Sequence, residues 1–233
     1  SEHHVKTDVS KIRKIVLQSE RYLSMIVFPI VTLIILLAKP IIHILLSDKY
    51  LPALPVLQIL PLFVLMEALA RPYVSKFQGM HMPKIIRNRV FLMMIINVIL
   101  NLVLIPRDMR SLGIKLVGLG AEGAAIATVS SYIFGLFYIR VKAWKVSGLR
   151  GNPRVVLHAV ASMVMGLILW YLLRLTVISR WYHLIVVGVV GILIYFAILY
   201  MFKEFRKKDF EFFVDTLNIK KMFRYIEEEL RYK

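Results

Sequence analysis

Six apolar stretches, 22–38, 54–70, 90–105, 121–139, 155–173 and 184–202, divide this 233-residue chain, and each is 16 to 19 residues long. A bilayer hydrocarbon core about 30 Å thick takes about 20 helical residues, so each stretch with its flanks is long enough to cross it. Helices buried in a soluble bundle normally keep a polar face, and these show almost none. The stretches predict six transmembrane helices. At 59% hydrophobic and 19% charged residues, with a mean hydropathy of +0.70, the chain also lacks the polar shell that a globular domain of this length needs.

The formal net charge of +17 suits a nucleic-acid ligand by its total, but its distribution points elsewhere. Lys and Arg fall before, between and after the stretches in the order five, two, five, three, five, two and nine. That alternation is the positive-inside bias, in which basic residues near helix ends stay with the anionic cytoplasmic headgroups. Both termini are predicted cytoplasmic, the location is a cell membrane, and no nucleic-acid partner is expected. Residues 1–21 set Val9, Ile12, Ile15 and Val16 among basic residues, a cytoplasmic amphipathic approach to the first span. Residues 203–233 mix nine basic and seven acidic residues with aromatics such as Phe205, Phe210 and Phe223, which predicts a cytoplasmic amphipathic tail on the membrane surface. The chain opens Ser1-Glu2-His3-His4 without an initiator Met or a signal peptide and reads as a fragment.

Several residues inside the spans carry information. Pro29 and Pro61 each remove a backbone donor and predict kinks in the first and second spans. Gly123, Ala127, Ser131 and Gly135 recur every four residues, a small-residue stripe that lets another backbone approach. Asn97 and Asn101 share a helix face that must meet protein or a wet cavity, with helix–helix bonding expected ahead of ligand contact. By this division no span has a Lys or Arg in its interior, and Glu67 and Glu122 are its only carboxylates. Glu67 is a candidate for ion coupling or gating, and Arg71, four residues on, offers it a structural partner.

Enzyme chemistry finds little footing. With no cysteine there are no disulfides, thiolate metal sites, iron–sulfur clusters or thiol nucleophiles. The six histidines, at 3, 4, 43, 81, 158 and 183, lack metal-ligand spacing beyond the terminal pair, and no phosphate-cradling G-x-x-x-x-G-K-[ST] loop appears. Glu67 and Glu122 are placed near opposite membrane faces, too far apart to act on one bond. The chain is expected to be no enzyme and to hold no metal or cofactor.

A set of blocks carries a family likeness: Leu46-Ser47-Asp48-Lys49-Tyr50-Leu51-Pro52-Ala53, Leu57-Gln58-Ile59-Leu60, Gln78-Gly79-Met80, the run from Asn97 to Pro106, and Gly120-Ala121-Glu122-Gly123-Ala124-Ala125-Ile126-Ala127-Thr128. In order and spacing, over about residues 46 to 142, they resemble the C-terminal part of polysaccharide-repeat flippases of the multidrug, oligosaccharidyl-lipid and polysaccharide exporter superfamily. The resemblance implies an all-α polytopic membrane bundle, here the last six of 12 to 14 helices, with the N-terminal half of the transporter as its partner. It implies translocation of a lipid-phosphate-linked glycan, H⁺ or Na⁺ as candidate coupling ions, membrane lipid as surroundings, and glycan-assembly enzymes as candidate partners of the tail. Arg71, Lys84, Arg87 and Arg89, at the cytoplasmic mouth of the second and third spans, would meet the lipid phosphate, with Asn97 and Asn101 as further substrate contacts. A drug or toxin exporter of the same superfamily, and a non-transporting membrane scaffold derived from a half-transporter, are the alternatives.

Overall fold

The computed structural model describes residues 2–109, 114–175, 180–205 and 209, with side chains from residue 11 onward other than 108–109 and 114–115. Backbone N–H and C=O groups in hydrocarbon have no water to bond, so apolar runs of this length close their hydrogen bonds internally as helices. The helices are α1 (Glu2–Ile41), α2 (Leu54–Ile59), α3 (Pro61–Gly79), α4 (Pro83–Leu104), α5 (Ala121–Ser147), α6 (Arg154–Leu175) and α7 (Trp181–Met201). A π-helical turn, Ile42–Leu46, and a 3-10 turn, Asp48–Ala53, join α1 to α2, with His43 and Asp48 paired across them. Two-residue strands β1 (Asp108–Met109) and β2 (Ile114–Lys115) form an antiparallel ladder between α4 and α5, the one departure from helix pairing among the described residues.

The helices overrun the apolar stretches. At 1.5 Å per residue the 40 residues of α1 extend about 60 Å, twice the hydrocarbon thickness. The approach segment and the first span are thus one continuous helix with no break at residue 21. Pro29 lies inside α1, which runs on past it, whereas Pro61 cannot donate to the carbonyl four residues back and divides the second span into α2 and α3 at Leu60. Gly148 ends α5 in the left-handed conformation at φ 63°, its N–H bonding the Trp144 carbonyl at 2.8 Å.

Packing is organised around α1. Val16 joins Tyr73, Phe77, Ile139 and Ala143 in a buried cluster linking α1, α3 and α5. Met25 and Leu33 join Met165, Leu169, Tyr195 and Leu199 in a second, linking α1 to α6 and α7. Val31 meets Leu65 and Leu69 in a third. On the far side of α5 the small-residue stripe receives α4, and Gly123, Ala127, Ser131 and Gly135 are all buried. A Cβ at Gly123 would stand 2.8 Å from the Leu104 carbonyl oxygen, so the two backbones touch where the side chain is absent.

The outer surface is apolar. Val90, Phe91, Met94, Val98 and Leu102 of α4 and Ile185, Val189 and Leu193 of α7 are exposed, a surface that hydrocarbon solvates and water does not. Six helical segments, 11–46, 48–79, 83–104, 121–147, 154–175 and 181–201, are long and apolar enough to span a membrane. The chain is a polytopic all-α membrane bundle. Its tail, apart from 203–205 and 209, lies outside the described residues.

Candidate functional site

One face of α3 departs from the apolar rule. Glu67, Arg71, Ser75 and Gln78 follow one another at helical spacing, Glu67 half-buried and the other three exposed. Val64 precedes them on the same line and marks where the face turns apolar. A stripe of two charges, a hydroxyl and a carboxamide on a spanning helix is poorly solvated by lipid tails.

Behind the stripe, Glu67 holds two guanidiniums. Its Oε2 lies 2.6 Å from Arg89 Nη2, and its Oε1 lies 3.2 Å from Arg71 Nε along its own helix. The Arg89 side chain is 5% exposed and also donates from Nε to the Gly135 carbonyl at 3.2 Å, so the small-residue stripe of α5 makes room for it. Three helices therefore meet at the Arg89 guanidinium, and the cluster of Glu67, Arg71 and Arg89 carries a formal charge of one positive unit. Arg89 was placed outside the spans because hydropathy locates the start of an apolar run and not the start of a helix. In the fold it lies in the second turn of α4, and Arg71 and Lys76 lie within α3. The spans do contain basic residues.

The remaining sequence-predicted residues do not join this cluster. Lys84 and Arg87 are exposed near the start of α4, where Arg87 donates to the Asn88 side-chain oxygen at 3.3 Å. Asn97 and Asn101 lie two and three turns beyond Arg89, half-buried, and bond each other, Asn101 Nδ2 to Asn97 Oδ1 at 2.9 Å. Asn101 Oδ1 is buried without a hydrogen-bond partner among the described residues. Glu122 is half-buried at the first turn of α5. Among the described residues no group of three His, Asp or Glu is placed to hold a metal ion.

A larger polar network lies at the same end of the bundle, built from residues that no motif in the sequence marks. Glu20 of α1 is fully buried; it accepts from the Tyr73 hydroxyl at 2.8 Å and the Asn152 backbone N–H at 2.8 Å, and pairs with Arg140. The next residue, Arg21, binds the segment after α7: Nε to Glu204 Oε1 at 2.5 Å, Nη2 to the Glu204 carbonyl at 2.6 Å, and Nη1 and Nη2 to the two Asp209 oxygens at 2.7 and 2.9 Å. Arg154 adds a bond to Glu204 at 2.9 Å, and Ser24 meets His158 Nδ1 at 2.7 Å. The start of the first span and the end of the last are thus tied together, which requires an even number of crossings between them. The only signal for these partners in the sequence was charge at span ends.

The described residues thus form a bundle of long helices with an apolar outer surface, an ionic belt at one end and a charged stripe on one spanning helix. Residues 3–55 match a family model described as "Polysaccharide biosynthesis protein"; that region holds nearly all of α1 and the first of the blocks that carry the resemblance, Leu46 to Ala53. No curated protein sequence matches the chain. Among solved structures, "Lipid II flippase MurJ, inward closed conformation" superposes with a TM-score of 0.67 at 16% identity over 84% of this chain. The chain spans 41% of that flippase's length and shares its fold over that part.

Proposed function

We propose that this chain is the C-terminal bundle of a transporter that flips lipid-linked oligosaccharide or polysaccharide repeat units across the cell membrane. The observation that carries the reading is the face of α3 bearing Glu67, Arg71, Ser75 and Gln78, with Arg89 buried behind it. Such a face on a spanning helix calls for a water-filled path or a protein neighbour, and an anionic lipid phosphate complements its net positive charge. The fold shared with a lipid II flippase and the family match over residues 3–55 support the same class.

In this reading the rest of the transporter faces the α3 stripe. Arg71 and Arg89 attract the phosphate, and Lys84 and Arg87 guide its approach from the cytoplasmic leaflet. Asn97 and Asn101 contribute hydrogen bonds to sugar hydroxyls further along α4. Glu67 gates the path by holding the two guanidiniums until the phosphate competes for them, and H⁺ or Na⁺ coupling acts through it. The work is movement between compartments and not bond chemistry. The tail faces the cytoplasm, where glycan-assembly enzymes would meet it, and both termini lie on that side, as the alternating basic counts require.

Two experiments test this. In proteoliposomes holding the transporter that contains this chain, a fluorescent lipid-linked oligosaccharide becomes accessible to an impermeant lectin on the far side, and Arg71→Gln with Arg89→Gln slows that step about tenfold or more. Equal accessibility in protein-free vesicles overturns the transport reading. The chain has no native cysteine, so Arg150→Cys should react with an impermeant maleimide only from the cytoplasmic side and Lys49→Cys only from the outside; the reverse pattern overturns the topology.

A further inference from the structure

A cleft of about 400 Å³ opens between α1 and α3 at the ionic end of the bundle. Ile12, Ile15, Val16 and Leu23 of α1 give it an apolar wall, and Ile15 is 61% exposed there. The polar groups that line it are Ser19 of α1 and Arg71, Ser75 and Lys76 of α3. All four can donate hydrogen bonds, and no carboxylate lines the cleft.

Lys76 is the unusual member. It is 7% exposed; its Nζ donates to the Ser147 hydroxyl, which in turn donates to the Ala143 carbonyl at 2.8 Å, and lies 5.4 Å from the centre of the Phe77 ring, with no carboxylate beside it among the described residues. Among the described residues, the comparably shielded arginines pair with carboxylates: Arg89, 5% exposed, with Glu67, and Arg21, 12% exposed, with Glu204 and Asp209. A buried ammonium with no counter-charge is costly to keep, and a bound anion offsets that cost. Arg71, 65% exposed and bonded to Glu67 only through Nε, leaves its terminal nitrogens without a partner among the described residues.

The geometry points to a lipid-phosphate site in this cleft, in which Lys76 and Arg71 hold the phosphate and the α1 wall lies along the first carbons of an apolar chain. A free phosphate ion would leave four aliphatic side chains facing a hydrated anion. A zwitterionic headgroup would bring a further cation beside Lys76 and Arg71, with no carboxylate in the lining to balance it. The site needs only the cleft and the membrane around it, and holds whether or not the chain takes part in translocation.

The test is native mass spectrometry of the purified full chain in neutral detergent with four probes: undecaprenyl phosphate, phosphatidylglycerol, phosphatidylcholine and inorganic phosphate. Undecaprenyl phosphate or phosphatidylglycerol should bind with one-to-one stoichiometry, and the tighter of the two identifies the source of the headgroup. Lys76→Met should weaken that binding about tenfold or more. Ile15→Glu, a change at an exposed position, should do the same by setting a carboxylate beside Lys76. Lys145→Gln, an exposed cation outside the cleft, should leave it unchanged. Phosphatidylcholine or inorganic phosphate binding as tightly as the anionic lipids overturns the assignment. So does equal weakening by Lys145→Gln, and so does wild-type binding in both cleft variants.

Discussion

Replacing Glu67 with Gln keeps the side-chain volume and removes the charge that lies 2.6 Å from Arg89 and 3.2 Å from Arg71. The two arginines should respond differently. Arg89, 5% exposed, would retain only the Gly135 carbonyl at 3.2 Å as a strong acceptor, and stripping a buried charge of its partner costs about 3–5 kcal/mol. Glu67 is itself 23% exposed, so water relieves part of the loss and the lower end, about 3 kcal/mol, is expected. Arg71 is 65% exposed, and Arg71→Gln should cost about 0–1 kcal/mol. Combining Glu67→Gln with Arg89→Met leaves no unpaired buried charge in this cluster and should return the protein to within about 1.5 kcal/mol of the parent. Unfolding in mixed detergent–dodecyl sulfate micelles, followed by the fluorescence of the three tryptophans, measures the three variants against the parent. A Glu67→Gln protein within about 1 kcal/mol of the parent, or an Arg71→Gln protein as unstable as Glu67→Gln, would refute the assignment of Glu67 as counter-ion to a buried Arg89.

The helix contacts make further predictions. Gly123→Ala should destabilise by about 1–3 kcal/mol, because the new Cβ meets backbone atoms of Leu104. The same change at Gly188, where nothing lies within 4 Å, should be neutral or stabilise by up to about 1 kcal/mol in the same assay. Asn97→Leu should cost more than the Asn97→Leu, Asn101→Leu double change, since the single variant leaves Asn101 without its partner; a double variant that is stable but loses transport would mark the pair as substrate contacts. Glu20→Gln should raise amide hydrogen exchange at Asn152, and Arg21→Gln should raise it after Met201, each leaving the other region protected. Raised exchange in both regions from either change would show that the two polar anchors open together.

The six spans were legible in the sequence because hydropathy responds to one local property, the length of an apolar run. So was the close packing of α5, since Gly123, Ala127, Ser131 and Gly135 fall on one side of a helix whatever it packs against. The helix ends were not legible. Arg89 begins no apolar run, yet its backbone continues the helix that carries one, and this difference turned a residue expected at the membrane surface into a buried partner of Glu67. The ionic belt was out of reach for another reason. Glu20 and Arg140 are 120 positions apart, and Arg21 and Glu204 are 183, so nothing local in the sequence relates them. The i, i+4 spacing of Glu67 and Arg71 makes that pair visible in the sequence, but Arg71 is only the more exposed of the two arginines that Glu67 meets.

The two anchors on α1 limit how this bundle can move. Glu20 and Arg21 are consecutive, so their side chains leave the helix about 100° apart, and each reaches a different side of the molecule. Glu20 gathers α3, α5 and the segment before α6; Arg21 gathers the chain that follows α7. Both sets of bonds are largely shielded from water, where losing one partner of a charge is most costly. Sliding α1 along its axis would break both anchors at once, and swinging α6 and α7 away would break the second. A rotation of the whole bundle breaks neither. If the chain takes part in alternating access, the inexpensive motion is rigid-body rocking, which carries the charged face of α3 with the bundle and leaves the α1 anchors closed throughout.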